Sequence, residues 1–175
     1  MSQTDVFIHR LESLQEGELS QFRRLAGRSI SNDLAGFDLF TGLWWPLREA
    51  SQAAPRRETS WLVAKLFATF RIPHVRAPSC CLPVVLRMRE PLKDTERERF
   101  RIRFDALLQA PLAAIEPHLR WALRESKQAK KGGLDWVQLL NDVSIWDRAD
   151  MHRNQRDIRD KWAEQYLNGT RETSP

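Results

Sequence analysis

Cysteine is nearly absent from this chain: 175 residues contain two, Cys80 and Cys81, and they are adjacent. That count and spacing exclude a disulfide framework and a tetrahedral Cys/His zinc site. With apolar and proline neighbours and no cationic cluster to lower a thiol pKa, the pair reads as buried small hydrophobes. Glycine is sparse as well: seven, scattered, with no GxGxxG or GxxxxGKS run to cradle a phosphate. No uninterrupted apolar run approaches the roughly 20 residues of a transmembrane helix. The opening MSQTDVFIHR lacks a basic segment followed by an apolar one, so no secretory signal is expected and a cytoplasmic protein is. The four histidines, His9, His74, His118 and His152, stand far apart in no metal-ligand or triad pattern. The acid pairs Asp142/Asp147 and Asp157/Asp160 fall among Arg and Lys and read as helix-surface ion pairs. No internal repeat, low-complexity tract, catalytic centre, metal or cofactor is expected.

What the chain does have is charge in one place. Hydrophobic residues make up 42% and charged residues 29%, ordinary for a globular protein, with a net charge of +5 and a pI near 9.7. Between Leu86 and Lys131 there are 12 basic and 7 acidic residues, whereas the rest of the chain holds 16 of each. The whole excess therefore lies in 46 residues, and a local field of this kind favours polyanionic partners.

Apolar residues recur at helical spacing, which predicts an all-α fold. A first helix is expected after Thr4, with Phe7, Ile8, Leu11 and Leu14 on one face and Gly17 ending it, then a short second helix with Leu19, Phe22 and Leu25. Residues 27–58, punctuated by Gly27, Gly36, Gly42, Pro46 and Pro55, are expected to be irregular but folded against the core. Thr59 or Ser60 would cap an apolar helix through Trp61, Leu66 and Phe70. Pro73, Pro78 and Pro83 mark a linker over 72–83. Beyond it, a capping box of Thr95 and Glu98 opens a helix at about residue 96. Pro117 opens the next, and Gly132-Gly133 ends it. Asp135 with Gln138 starts another helix, and the last runs over about 152–168. The expected architecture is two helical lobes: residues 1–71, the linker, a four-helix C-terminal bundle over 84–168, and a tail over 169–175.

The basic residues line up on this scheme. Arg120, Arg124, Lys127 and Lys131 fall at i, i+4, i+7 and i+11, one stripe along a helix. On the preceding helix Arg99 and Arg103 lie four apart on one flank of the apolar face, and Arg97 and Arg101 on the other. If the helices are neighbours these rows merge into one groove, extended by Arg87 and Arg89. Such a groove grips phosphates without reading bases, and Arg suits bidentate phosphate contacts. The alternative is a helical adaptor that docks its basic face on an acidic protein. Residues alone leave the two open. Of the tryptophans, Trp136, Trp146 and Trp162 fit apolar stripes and read as core. Trp121, beside Arg120, is the candidate surface contact for a base.

In combination these segments resemble a known family. The run GLDWVQLLNDVSIWD, the ending IRDKWAEQYL, and upstream RFRIRFDALLQA, QFRRLAG and WLVAKLFATF together resemble the CasB family, the small subunit of the type I-E CRISPR surveillance complex Cascade. One departure is SCCLPVVLRM, where Pro83 stands in place of a helix-opening glycine. The resemblance implies an all-α subunit without enzymatic activity. It also implies that the subunit sits beside a second copy and beside the backbone subunits that coat the guide RNA. There it would stabilise the pairing of CRISPR RNA with target DNA, and the displaced strand, through sequence-independent contacts, with no membrane involved. Carried over by position, Arg23 and Arg24 match the family's early arginine pair and Arg103 the arginine before the helix aromatic. Arg148 and Arg153 fall where members carry basic residues facing nucleic acid.

Overall fold

The computed structural model describes residues 1–28, 30, 37–52, 54–129, 132–148 and 157–169. Among these residues there are nine α-helices and no strand beyond one isolated bridge, so the protein is all-α as expected. The helices fall into two compact units, of which the first is assembled from residues 1–71 together with Trp136–Ser144.

In that first unit, α1 (Gln3–Glu12) starts two residues before the expected point because Ser2 caps it, with Asp5 completing a capping box. Gly17 does not end α1. It lies in the first turn of α2 (Glu16–Arg24), whose start is fixed by a reciprocal Gln15/Glu18 box, and Ser13 closes α1 instead. The stretch expected to be irregular contains a 14-residue helix, α3 (Phe37–Ala50), with Gly42 and Pro46 inside it. Pro46 has no N–H to return to the Gly42 carbonyl, yet helix spacing still buries Phe40 and Leu47. Burial of that face outweighs two poor helix formers. α4 (Arg57–Phe70) begins at an Arg56 cap, ahead of Thr59 and Ser60, and ends at Arg71 in the left-handed region at φ 52°. Residues 61–68 of α4 are all buried.

Aromatic rings centre this core on Phe40, which meets Trp61 edge-on at 5.2 Å, Phe7 at 6.4 Å and, stacked, Trp44 at 6.4 Å. Phe22 closes on Trp61 at 6.1 Å. The helix Trp136–Ser144, here α8, packs on α1 and α4 in this unit. Phe67 meets Trp136 at 5.2 Å, Thr4 donates to the Asn141 side-chain oxygen at 2.8 Å, and the Thr59 and Ser144 hydroxyls lie 3.0 Å apart. The bundle expected over 84–168 therefore lacks its 136–144 helix. An apolar stripe on both faces, Trp136, Val137, Leu139, Leu140 and Val143, buries wherever complementary helices are offered, and α1 and α4 offer them.

The second unit is residues 72–135 and 145–175. The expected linker over 72–83 is structured. Leu134 bridges this segment on either side of His74 (Val75 N–H to the Leu134 carbonyl and Leu134 N–H to that of Pro73, both 3.0 Å), and a 3-10 turn spans Pro78–Cys80. α5 (Leu82–Arg89) carries Pro83 in its first turn, the role open to proline there. α6 (Asp94–Gln109) opens at Lys93, two residues before the expected Thr95 cap. A 3-10 turn, Leu112–Ala114, leads to α7 (Glu116–Lys127), with Pro117 in its first turn. α9 (Ile158–Asn168) is capped by Asp157, which accepts from the Arg159 N–H. α5 packs on α7 and α9, and α6 on the same two helices. Their core holds Val85, Leu86, Phe104, Leu119, Leu123, Trp146, Ile158 and Trp162. Among the described residues no helix is long and apolar enough to cross a membrane.

Candidate nucleic-acid interface

The basic residues of the second unit divide by what they touch. α5 ends at Glu90, whose side chain is fully buried. An isolated buried carboxylate is costly, so donors must meet it. Arg87 reaches it from one turn back, Arg101 Nε donates at 2.8 Å from α6, and the Tyr166 hydroxyl donates at 2.9 Å from α9. Burial pushes the Glu90 carboxyl up, but the Tyr166 hydroxyl and the two guanidiniums together hold it below its ordinary range. Burial, and then the Glu90 contact, push Tyr166 up to about 12. The Arg87 guanidinium also lies over the Tyr166 ring, which in turn stacks on Phe104 at 4.3 Å. Arg87 and Arg101, both candidates for a phosphate groove, are thus committed to a structural carboxylate. Arg97 pairs with Asp94, an exposed carboxylate one turn back on the same helix.

The other flank of α6 and the outer face of α7 differ. Among the described residues no carboxylate pairs with Arg99, Arg103, Arg120, Arg124 or Lys127. All but Arg120, which is half-buried, are exposed. The two helices that carry them are in direct contact, Phe100 of α6 meeting Trp121 of α7 edge-on at 5.1 Å. That contact corrects the reading of Trp121 as a surface residue for stacking bases: it is buried. Spacing on α7 put Trp121 outside the best inner face, but α6 supplies a second inner face for it.

Arg87 and Arg89 do not act together. Two positions on a helix are about 200° apart, so while Arg87 turns to Glu90, Arg89 turns to α7 and donates to the Gln128 side-chain oxygen at 3.1 Å. In the first unit Arg24 is exposed without a carboxylate among the described residues, whereas Arg23 pairs with Glu16. Arg148 is half-buried and engaged by neighbouring groups. Lys131 and Arg153 lie outside the described residues.

Sequence reasoning overlooked one arginine that holds the second unit together. Arg159 donates to the backbone carbonyls of Leu108 at 2.8 Å and Trp146 at 2.9 Å, and to Asp147 at 2.6 Å. It also stands over the Trp146 ring at 5.0 Å. Asp147 accepts the Leu112 N–H as well. Burial pushes its carboxyl up, and the Leu112 N–H and Arg159 outweigh that to hold it low. The signal was Arg159 lying between two core positions, Ile158 and Trp162, where a side chain flanks the core. Asp142, read as a surface ion-pair acid, is instead buried and accepts from Gln138 at 2.6 Å.

Residues 18–167 match the family of the CRISPR-associated protein Cse2. No curated protein matches the sequence. Among solved structures, the fold is shared with TTHB189, a CRISPR-associated protein of the Cse2 family from Thermus thermophilus. It is 23% identical, with a TM-score of 0.72 over 97% of this chain and 100% of that one. CasB of M. ruber is 19% identical, with a TM-score of 0.74 over 95% of this chain and 93% of its own. A structure of CasB from Thermus thermophilus is 23% identical, with a TM-score of 0.71 over 97% and 100%.

Proposed function

Because this chain belongs to the Cse2 family of CRISPR-associated proteins, we propose that it is a non-catalytic small subunit of an RNA-guided Cascade complex. In this role it grips nucleic-acid backbone and stabilises the pairing of guide RNA with target DNA, together with the displaced strand. The observation that carries the reading is the division of arginines. Arg87, Arg97 and Arg101 have carboxylates, while Arg99, Arg103, Arg120, Arg124 and Lys127, on two helices in contact, have none among the described residues. A row of cations, all but Arg120 exposed and without counter-charges among the described residues, is the footprint of a phosphate-backbone contact.

The energetics suit the role. Exchanging a DNA duplex for a guide–target heteroduplex is nearly balanced, so backbone contacts tip it. Several charge-assisted hydrogen bonds, at about 1.5–3 kcal/mol each before desolvation and ordering, supply that bias. The partners are the guide-RNA-coating subunits, a second copy of the chain, CRISPR RNA and target DNA.

The test is a filter-binding titration of the chain with single-stranded and duplex DNA at several salt concentrations. Sequence-indifferent binding with a steep salt slope is expected, and replacing Arg120, Arg124 and Lys127 by Ala together weakens it for every sequence alike. Unchanged affinity and slope in that variant overturn the α7 assignment. Loss of docking to an acidic protein surface, with no change toward DNA, identifies an adaptor instead.

A further inference from the structure

We infer that Arg89 is an anchoring contact for a nucleic-acid phosphate, held in position by Gln128. The inference rests on the reading that α6 and α7 bind nucleic-acid backbone, and it adds a residue from a third helix to that surface. Arg89 is half-buried, and among the described residues its one side-chain hydrogen bond goes to a neutral side-chain oxygen. Its Nε is buried without a hydrogen-bond partner among the described residues. A guanidinium withdrawn from water normally has a carboxylate, as Arg87 has two positions earlier. Among the described residues no carboxylate pairs with Arg89, and its side chain makes a single hydrogen bond.

Its placement points the charge at the proposed surface. Gln128 follows α7 while still in helical conformation, at φ −89° and ψ −4°. It lies four positions after Arg124 and therefore on the same face, next to Lys127. The hydrogen bond to Gln128 thus delivers the Arg89 guanidinium to the end of the Arg120–Arg124–Lys127 row. The partial negative charge of a helix C-terminus makes that end tolerable for a cation before any anion arrives. Gln128 is a positioning residue: it fixes one edge of the planar fork and leaves the rest for a phosphodiester oxygen, an arrangement that a lysine cannot reproduce.

The test is fluorescence anisotropy of the full chain with a labelled oligothymidylate over a range of salt, after circular dichroism has verified folding. Arg89→Ala should lower affinity roughly tenfold and reduce the log–log salt slope by about 0.7, one contact on a single strand. Arg89→Lys should keep the slope and lose affinity. Gln128→Leu, which changes no charge, should weaken binding at constant slope, and these two variants carry the test should Arg89→Ala fail to fold. Wild-type binding that the triple α7 variant weakens, but none of these three alters, overturns the Arg89 assignment alone. Absence of any oligonucleotide binding by the wild type at low salt overturns this inference together with the reading on which it rests.

Discussion

The Tyr166 hydroxyl donates to the buried Glu90 carboxylate at 2.9 Å, across a separation of 76 positions. With Arg87 and Arg101 on the same carboxylate, three helices are joined at one charged group. Removing the acid leaves two guanidiniums and a phenol facing an apolar gap. Glu90→Ala should therefore lose about 3–5 kcal/mol of unfolding free energy in urea. Tyr166→Phe, which removes one donor to a charged acceptor, should lose about 1.5–3 kcal/mol.

Acid should weaken the fold through the same group. Glu90 is held below its ordinary value of 4.5, so the unfolded chain binds this proton more readily than the folded one. The stability it contributes is fully present above that value and is lost as pH falls through the lower folded pKa. The urea midpoint should be flat from neutral pH to about 5 and fall below it, with a shallower fall in Glu90→Gln.

Tyr166 is the only tyrosine in the chain, so near-ultraviolet absorbance of phenolate reads it alone. The phenol is pushed up to about 12 from 10.0, by burial first and then by Glu90. Its contribution to stability is complete below the ordinary value and is lost as pH rises through the folded one. The titration midpoint should lie near 12 in the folded chain and lower in Glu90→Gln, which keeps the burial but loses the carboxylate.

Arg159 is the corresponding test for α9. Arg159→Ala removes a cation from the Trp146 ring and hydrogen bonds to two carbonyls, and Arg159→Lys replaces a planar fork by a point donor. A loss of about 2–3 kcal/mol is expected for Ala, with Lys recovering less than half, both read from thermal melts.

Gly133 should resist enlargement because of its neighbour, not its backbone. A Cβ there would come 2.9 Å from the Val75 Cβ and closer still to its Cγ2, and Val is stiff at χ1. Gly133→Ala should cost about 1–3 kcal/mol, while Gly42→Ala, where the added atom meets nothing within 4 Å, should be neutral or stabilising.

The helices most legible in sequence were those with a clean apolar stripe, such as α4, and those with a proline in the first turn, such as α7. α3 was hidden because Gly42 and Pro46 signal a break, and only the burial of Phe40 and Leu47 overrides that signal. Periodicity identified the apolar faces of α8 but could not say which helices would meet them. At the candidate surface, spacing placed Arg99 and Arg103 on one helix and Arg120, Arg124 and Lys127 on the next. It could not tell Arg87 from Arg89, since that distinction depends on Arg87 facing Glu90 at the end of its own helix and Arg89 facing Gln128 beyond α7. Nor could it see that Trp121 would find Phe100.

The placement of α8 has a consequence for synthesis. Residues 1–71 leave the ribosome long before residue 144, the end of the helix that meets α1 and α4. At about 5–20 residues per second, the first unit waits roughly 4–15 s for its last helix. During that interval Phe67 lacks Trp136, and Thr4 and Thr59 lack Asn141 and Ser144. The nascent amino-terminal segment thus holds open an apolar seat that a chaperone can cover until α8 arrives.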